Sequence, residues 1–410
     1  MRQLAVAKKI VWTLGALLAS AGAVRADDAP VPVFAVRTAD GKTIEGRLRE
    51  LGPDWSVRLG EDSAHMDGAD VLSVRRISRP LPARSVETQL LLAGGDCVPV
   101  DRPILIGERI HFHSPHLADG KDASAPLSSV MVIWFAGTAT ERSERLRRRL
   151  AVETRKRDVV LLRNGDVLEG VLTALDEKTI AIEVDKKPVA VDVSRTAAIA
   201  LSSDLTETPR PKSVYGRVIL DANGARLSLA SARCADGATL TGTTLFGAAL
   251  SVPLTKVAAL DLFQGKAVYL SDLKPSRYVY LPYLDDRWEY ARDGSAAGLD
   301  LRVAGSTYDK GVGLHSHSRL SYAVPKDCRR FEAMVGLDDR TGRRGSVRIR
   351  VLADGKPLNI GGERELSAVG GPLSIGVDLA GVKELTLEVD FGRSGPVGDH
   401  VDWVDACFVN

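Results

Sequence analysis

At 410 residues the chain exceeds what one hydrophobic core ordinarily serves, so several domains are expected. Its charges nearly cancel, at a formal +2, which gives no reason to look for a nucleic acid or another polyanion as partner. The four cysteines, Cys97, Cys234, Cys328 and Cys407, show no CxxC spacing.

At the N-terminus, Arg2, Lys8 and Lys9 precede the apolar run "IVWTLGALLASAGA" (10–23), which is followed by small residues and "VRADD". This is the form of a secretory leader over residues 1–26, cleaved after Ala26. The run is shorter than the about 20 residues a spanning helix needs, and no later segment comes closer. The mature chain is therefore expected without a membrane span, either secreted or held in the periplasm or cell envelope. Export permits disulfides, so a Cys328–Cys407 bridge and four buried free thiols stand as alternatives.

Further along, Asp-Gly and Asn-Gly pairs at Asp40-Gly41, Asn164-Gly165, Asn223-Gly224 and Asp236-Gly237 supply the positive φ that tight hairpins need. A wider frame repeats around such turns: "FAVRTADGKTIEGRL" (34–48), "TQLLLAGGDCVPVDR" (88–102), "VVLLRNGDVLEGVL" (159–172) and "GRVILDANGARLSLAS" (216–231). Each is followed by a second β-rich pair that ends in a Val/Ile/Leu segment. The reading is four β modules, at 27–83, 84–138, 158–208 and 209–264. In hairpin rhythm and strand count they resemble small SH3-like or Sm-like barrels. Units of about fifty residues are marginal alone, so they should pack on one another or in pairs.

Within the second module, "HFHSPH" puts His111 and His113 on one strand face with His116 just beyond, the geometry of a three-imidazole metal site. No acidic or cysteine ligand stands near them, and an ordinary exposed strand face is the competing reading. Between the second and third modules, at 139–157, "TERSERLRRRLAVETRKR" predicts a helix with a narrow Leu146/Leu150 stripe. Glutamates interleave its arginines and no aromatic residues accompany them, which favours a solvated linker over a nucleic-acid contact.

From Val268 onward the texture changes. "VYLSDLKPSRY" (268–278), "STYDKGVGLHSHSRLSY" (306–322), "CRRFEAMVGLDDRTGRRGSVRIRVLADGKPL" (328–358), "GPLSIGVDLAGVKELTLEVDFG" (371–392) and "GDHVDWVDACFV" (398–409) occur in that order. Together they resemble the NPCBM/NEW2 domain, a module of secreted proteins related to carbohydrate-binding family 51, over residues 265–410. The resemblance implies a galactose-binding-like jelly-roll β-sandwich with a sugar site on its end loops, and often a structural calcium. The predicted fold class is thus mainly β: several small barrel-like repeats, one linker helix and a C-terminal sandwich. Alternation in "SVRIRVLADGKPL" and "ELTLEVD" agrees with half-buried antiparallel strands.

A sugar site needs an apolar ring to lie against C–H faces and fixed polar groups for hydroxyls. Trp288, with Tyr283 and Tyr290 near it, is the candidate plate; His315, Asp338, Asp339, Arg343 and Arg344 are the candidate polar groups. His315 stands where the family pattern has a histidine, whereas His317 departs from it. The stretch 308–322 reads as a turn into one strand with His315, His317 and Arg319 on a common face. Trp403 reads as a core residue, with His400 and Asp402 holding loops together. Asp272 and Asp405, from the first and last strands, are the candidate calcium ligands. The acidic pairs Asp285-Asp286 and Asp338-Asp339 lie in short loops and not in a deep cleft, which argues against a glycosidase acid/base couple. The favoured function is non-catalytic recognition of a glycan, of galactose-like class by resemblance. The alternatives are an assembly protein whose repeats bind a protein partner, and a metal-dependent hydrolase using the second-module histidines.

Overall fold

The computed structural model describes residues 31–60, 65–117, 123–209, 211–282, 287–360 and 364–410. The expected leader, Tyr283 and Asp285-Asp286 lie outside the described residues, as does the side chain of Arg343.

Four successive runs of strands share one topology. In each, the first strand is flanked antiparallel by the second and by the last of its run: Val33–Thr38 by Thr43–Leu51 and Val71–Arg76, and Gln89–Leu92 by Cys97–Pro99 and Val130–Trp134. Asp158–Leu162 is flanked by Val167–Leu175 and Thr196–Ala200, and Tyr215–Leu220 by Arg226–Arg233 and Val257–Phe263. The turn residues explain the tight hairpins, since Gly165 sits at φ 96°, where a side chain would be strained. In the second, third and fourth runs a single 3-10 turn precedes the last strand, at Leu127–Ser129, Val193–Arg195 and Leu254–Lys256.

The modules join in pairs through those last strands. Val71–Arg76 pairs with Val257–Phe263, and Val130–Trp134 with Thr196–Ala200, all antiparallel. This pairing removes exposed edges that would otherwise invite association. One apolar cluster runs through all four runs, from Phe34 and Leu51 through Leu90 and Ile110 to Ile180 and Leu227. Units too small to bury enough surface alone thus share one core.

The C-terminal domain is a two-sheet sandwich. One sheet runs in the order Ala291–Arg292, Gly311–His315, His400–Val409, Arg330–Leu337 and Leu373–Asp378, with Ala267–Tyr269 also on the long last strand. The other runs Arg277–Tyr280, Ser318–Ala323, Glu384–Phe391 and Ser346–Ala353, the last of which also carries Lys356–Pro357 and Arg364–Ser367. Their inner faces close on Val312, Leu320, Phe331, Ile349, Leu387 and a fully buried Trp403. All four cysteines are buried and unpaired.

Two expectations are corrected. The stretch 308–322 is not one strand with its histidines on one face: Gly311–His315 and Ser318–Ala323 belong to different sheets. The chain turns the corner through His317, held at φ 64°, because a strand that changes sheets must bend. The helix is not a solvated spacer either. Glu141–Val152, capped by a reciprocal Thr140/Ser143 box, buries Arg147 and Leu150. Arg147 and Arg148 reach Asp300 of the sandwich at 2.7 and 3.1 Å, and Arg145 donates to the Ala297 carbonyl at 3.0 Å. What reads in sequence as a charged surface is a docking face.

Repeats and sandwich therefore meet over a shared interface. Leu81, Ile219 and Ala259 pack with Leu301, Val303, Tyr308 and Val404, and Leu72 and Phe263 pack with Tyr269, Cys407 and Val409. Beside these clusters Arg75 bridges Asp261 and Asp405, each at about 3 Å, and Arg84 bridges Asp300 at 2.6 Å and Asp309 at 2.8 Å. Arg226, which has no exposed surface, closes on Asp309 at 3.1 Å.

Candidate functional site

At one end of the sandwich the strands Gly311–His315 and His400–Val409 begin or stop opposite each other, with His315 directly across from His400 in the register. Their imidazoles lie 5.0 Å apart at 74°. The Trp288 indole stacks on His315 with centroids 4.9 Å apart and planes 6° from parallel, and meets His400 edge-on at 4.8 Å. Tyr280 adds an edge contact to His315 at 6.3 Å. The Trp288 backbone is fixed because the Tyr278 hydroxyl donates to its carbonyl at 2.7 Å, and Tyr278 in turn packs on Tyr290. Trp288 is half-buried. A preorganised ring of this kind binds apolar faces with little ordering cost.

Burial governs the electrostatics here. It pushes His315 down to about 4, with the adjacent His400 adding to the effect, and it lowers His400 as well. Both rings are therefore neutral near pH 7, and a neutral imidazole offers one donor and one acceptor to a polyhydroxy ligand. Among the described residues Nδ1 of His400 has no hydrogen-bond partner. Asp399 has no exposed surface; burial pushes its carboxyl up to about 6, offset in part by Ser316 and the Ser346 N–H.

The remaining sequence candidates fall in different places. Asp338 is buried behind the histidines: its N–H donates to the His400 carbonyl at 3.0 Å, and its carboxylate caps the short 3-10 run by accepting from the Arg340 N–H at 2.8 Å. Burial raises its pKa, and its neighbour Asp402 lies well above the usual carboxylate range through burial and then through Asp338. One proton shared by this pair accounts for both directions. Asp339 is exposed, but its Oδ2 accepts from the Gly305 N–H at 2.8 Å and so ties down a turn. Arg343 belongs to the same run, Asp339–Arg344. Trp288 and His315 are thus brought together, whereas Asp338 and Asp339 act on the scaffold around them.

Asp272 and Asp405 do not fit a shared calcium. The Asp272 carboxylate accepts from Lys310 Nζ at 2.6 Å, and Asp405 is buried against the Arg75 guanidinium. The strands do come together as reasoned, since Ala267–Tyr269 pairs with His400–Val409, but each carboxylate is engaged by a different cation of the chain itself. Among the described residues no group of three or more His, Cys, Asp or Glu is placed to hold a metal ion. In the second module His116 is buried while His111 and His113 remain on the half-exposed face of Arg109–His113.

Sequence reasoning missed His400 as a member of the ring cluster, along with Tyr280 and Asp399. The available signal was the pairing of "GVGLH" with "HVDWV" as antiparallel neighbours, which sets the two histidines opposite each other.

The two-sheet sandwich thus carries at one end an indole held against two strand-borne imidazoles. Residues 266–409 match the NPCBM/NEW2 domain. A protein of Renibacterium salmoninarum provisionally named endo-alpha-N-acetylgalactosaminidase is 32% identical over 112 residues, 27% of this chain and 7% of that protein. Alpha-1,3-galactosidase B of Akkermansia muciniphila is 31% identical over 115 residues, 28% of this chain and 14% of that protein. The chain thus matches only a small part of either relative. Among solved structures it is similar to the CBM51 module of a Clostridium perfringens GH95 protein in complex with methyl-galactose, at 26% identity over 35% of this chain and 99% of that chain, with a TM-score of 0.31. No helix among the described residues is long and apolar enough to cross a membrane.

Proposed function

We propose that the protein is an exported, non-catalytic glycan-binding protein that holds a galactose-like sugar against Trp288 at the end of its C-terminal sandwich. The observation that carries this reading is the half-buried Trp288 stacked on His315 and braced by His400, an apolar plate bordered by two neutral imidazoles. An axial hydroxyl beside an otherwise apolar sugar face suits such a plate with hydrogen-bonding groups at its rim. Absence of turnover is supported by the carboxylates nearby: Asp338, Asp399 and Asp402 are all buried and engaged with the scaffold, not poised across an open cleft.

The test is titration of the full chain with methyl galactoside, followed by calorimetry or by ligand-observed NMR. A shallow site for one sugar unit gives millimolar affinity, about 4 kcal/mol, and gains from clustering on a polymer. Trp288→Ala should weaken binding by about tenfold or more, equivalent to about 1.4 kcal/mol. Equal affinity in the variant, or release of free sugar from a chromogenic galactoside by the wild type, would refute the reading.

A further inference from the structure

Between the repeats and the sandwich lies a cleft of about 760 Å³. It is bounded by a hairpin of the second module, the end of the helix, the strands of the fourth module around Tyr215 and Phe263, and the first turns of the sandwich. It reaches the surface, since Gln264, Arg292 and Val152 on its rim are exposed. Its volume falls within the range of ligand pockets, which favour domain interfaces.

The lining has the two components a saccharide needs. Tyr215, half-buried, stacks on Phe263 with centroids 5.2 Å apart and planes at 27°, giving an aromatic wall. The cleft is also lined by charged groups with hydrogen-bonding capacity to spare among the described residues. Asp272 spends one oxygen on Lys310, and Arg292 spends its Nε on the Ser271 carbonyl at 2.6 Å, leaving the rest of its fork. Arg148 is already anchored by Asp300, so its guanidinium is held in place. Apart from Arg292 on the exposed rim, the cations of the cleft pair with its carboxylates, so a single excess positive charge remains beside many fixed donors and acceptors for hydroxyls.

We propose that this cleft is a second carbohydrate site, which takes a neutral oligosaccharide along the Tyr215–Phe263 wall. Most of its wall comes from the repeats, outside the matched domain, so it stands or falls separately from the Trp288 site. The experiment is a carbohydrate array bearing neutral, sialylated and sulfated oligosaccharides, probed with the full chain. Trp288→Ala serves as the background that silences the end-loop site. The expected result is that this variant keeps binding neutral trisaccharides and longer chains, and that adding either Tyr215→Ala or Val152→Trp lowers that signal about tenfold. Val152 is 70% exposed on the rim, so an indole there obstructs the cleft without disturbing a buried contact, and its outcome decides if the two variants disagree. The proposal is overturned if the Trp288→Ala protein binds no neutral oligosaccharide, if it retains only sialylated or sulfated ones, or if Val152→Trp leaves the retained signal unchanged. A Trp288→Ala protein indistinguishable from wild type would instead remove the end-loop reading, and Val152→Trp would still judge the cleft.

Discussion

Two residues at the sandwich end pull stability in opposite directions with pH. Asp399, raised to about 6 by burial, holds its proton more tightly folded than unfolded, so stability falls as pH rises from the ordinary carboxylate range to about 6. His315, lowered to about 4, resists protonation in the fold; its contribution is intact above the ordinary imidazole value of 6.5 and is lost as pH falls towards 4. The windows overlap and the slopes offset. Asp399→Asn should therefore make the thermal midpoint rise more steeply between about pH 4.5 and 6.5 than in wild type, whereas His315→Gln should make it rise less or fall. Superimposable profiles for the three proteins would contradict these assignments. At this scale the stacking of Trp288 on His315 joins two residues that the sequence had already named as candidates. His400 was not among them, since its role arises from cross-strand register between segments far apart in the chain.

At the scale of the element, the helix Glu141–Val152 is the part whose meaning changed most. Its arginines converge on Asp300, which burial alone would raise but which Arg84, Arg147 and Arg148 hold far below the usual carboxylate range. Removing one member of such a buried cluster leaves unpaired charge, so Asp300→Ala should lower the free energy of unfolding by about 3–5 kcal/mol, as read from a denaturant midpoint at unchanged slope. The same helix also touches the scaffold of the Trp288 ring cluster. Glu144 pairs with Arg340 at 2.7 Å, Arg340 pairs with Asp338 at 3.2 Å, and the Asp338 N–H holds the His400 carbonyl. Glu144→Ala should accordingly weaken methyl galactoside binding by a few-fold and also lower the unfolding midpoint, since Glu144 accepts from the Asp300 N–H at 2.6 Å as well and that donor would lose its partner. Unaltered affinity would mean that the Arg340 link does not position the site. The sequence pattern gave the helix its position and its Leu146/Leu150 stripe, but a charged face looks the same whether water or a complementary carboxylate lies against it.

For the whole molecule, the consequence is that the C-terminal domain does not stand apart from the repeats. Val404, Cys407 and Val409 of its last strand share apolar clusters with repeat residues, and Asp405 is buried under Arg75. Calorimetry of the full chain should show one cooperative transition for the described body, and the fragment 265–410 should melt lower or associate, because it would expose those side chains together with Asp300 and Asp309. Two well-separated transitions, one matching the fragment, would argue for independent domains.

Periodicity and turn chemistry by themselves pointed to a mainly β chain with recurring hairpins, because those are local properties of alternation and of residues that tolerate positive φ, whereas the C-terminal sandwich was read from a resemblance to the NPCBM/NEW2 domain. The tertiary structure alone decided which strands pair between modules, that the chain turns a corner at His317, that Asp272 and Asp405 hold cations of the chain, and that the helix docks on the sandwich. Each of these depends on what a side chain meets across space, and a contact between segments hundreds of residues apart leaves no mark on the local pattern of either.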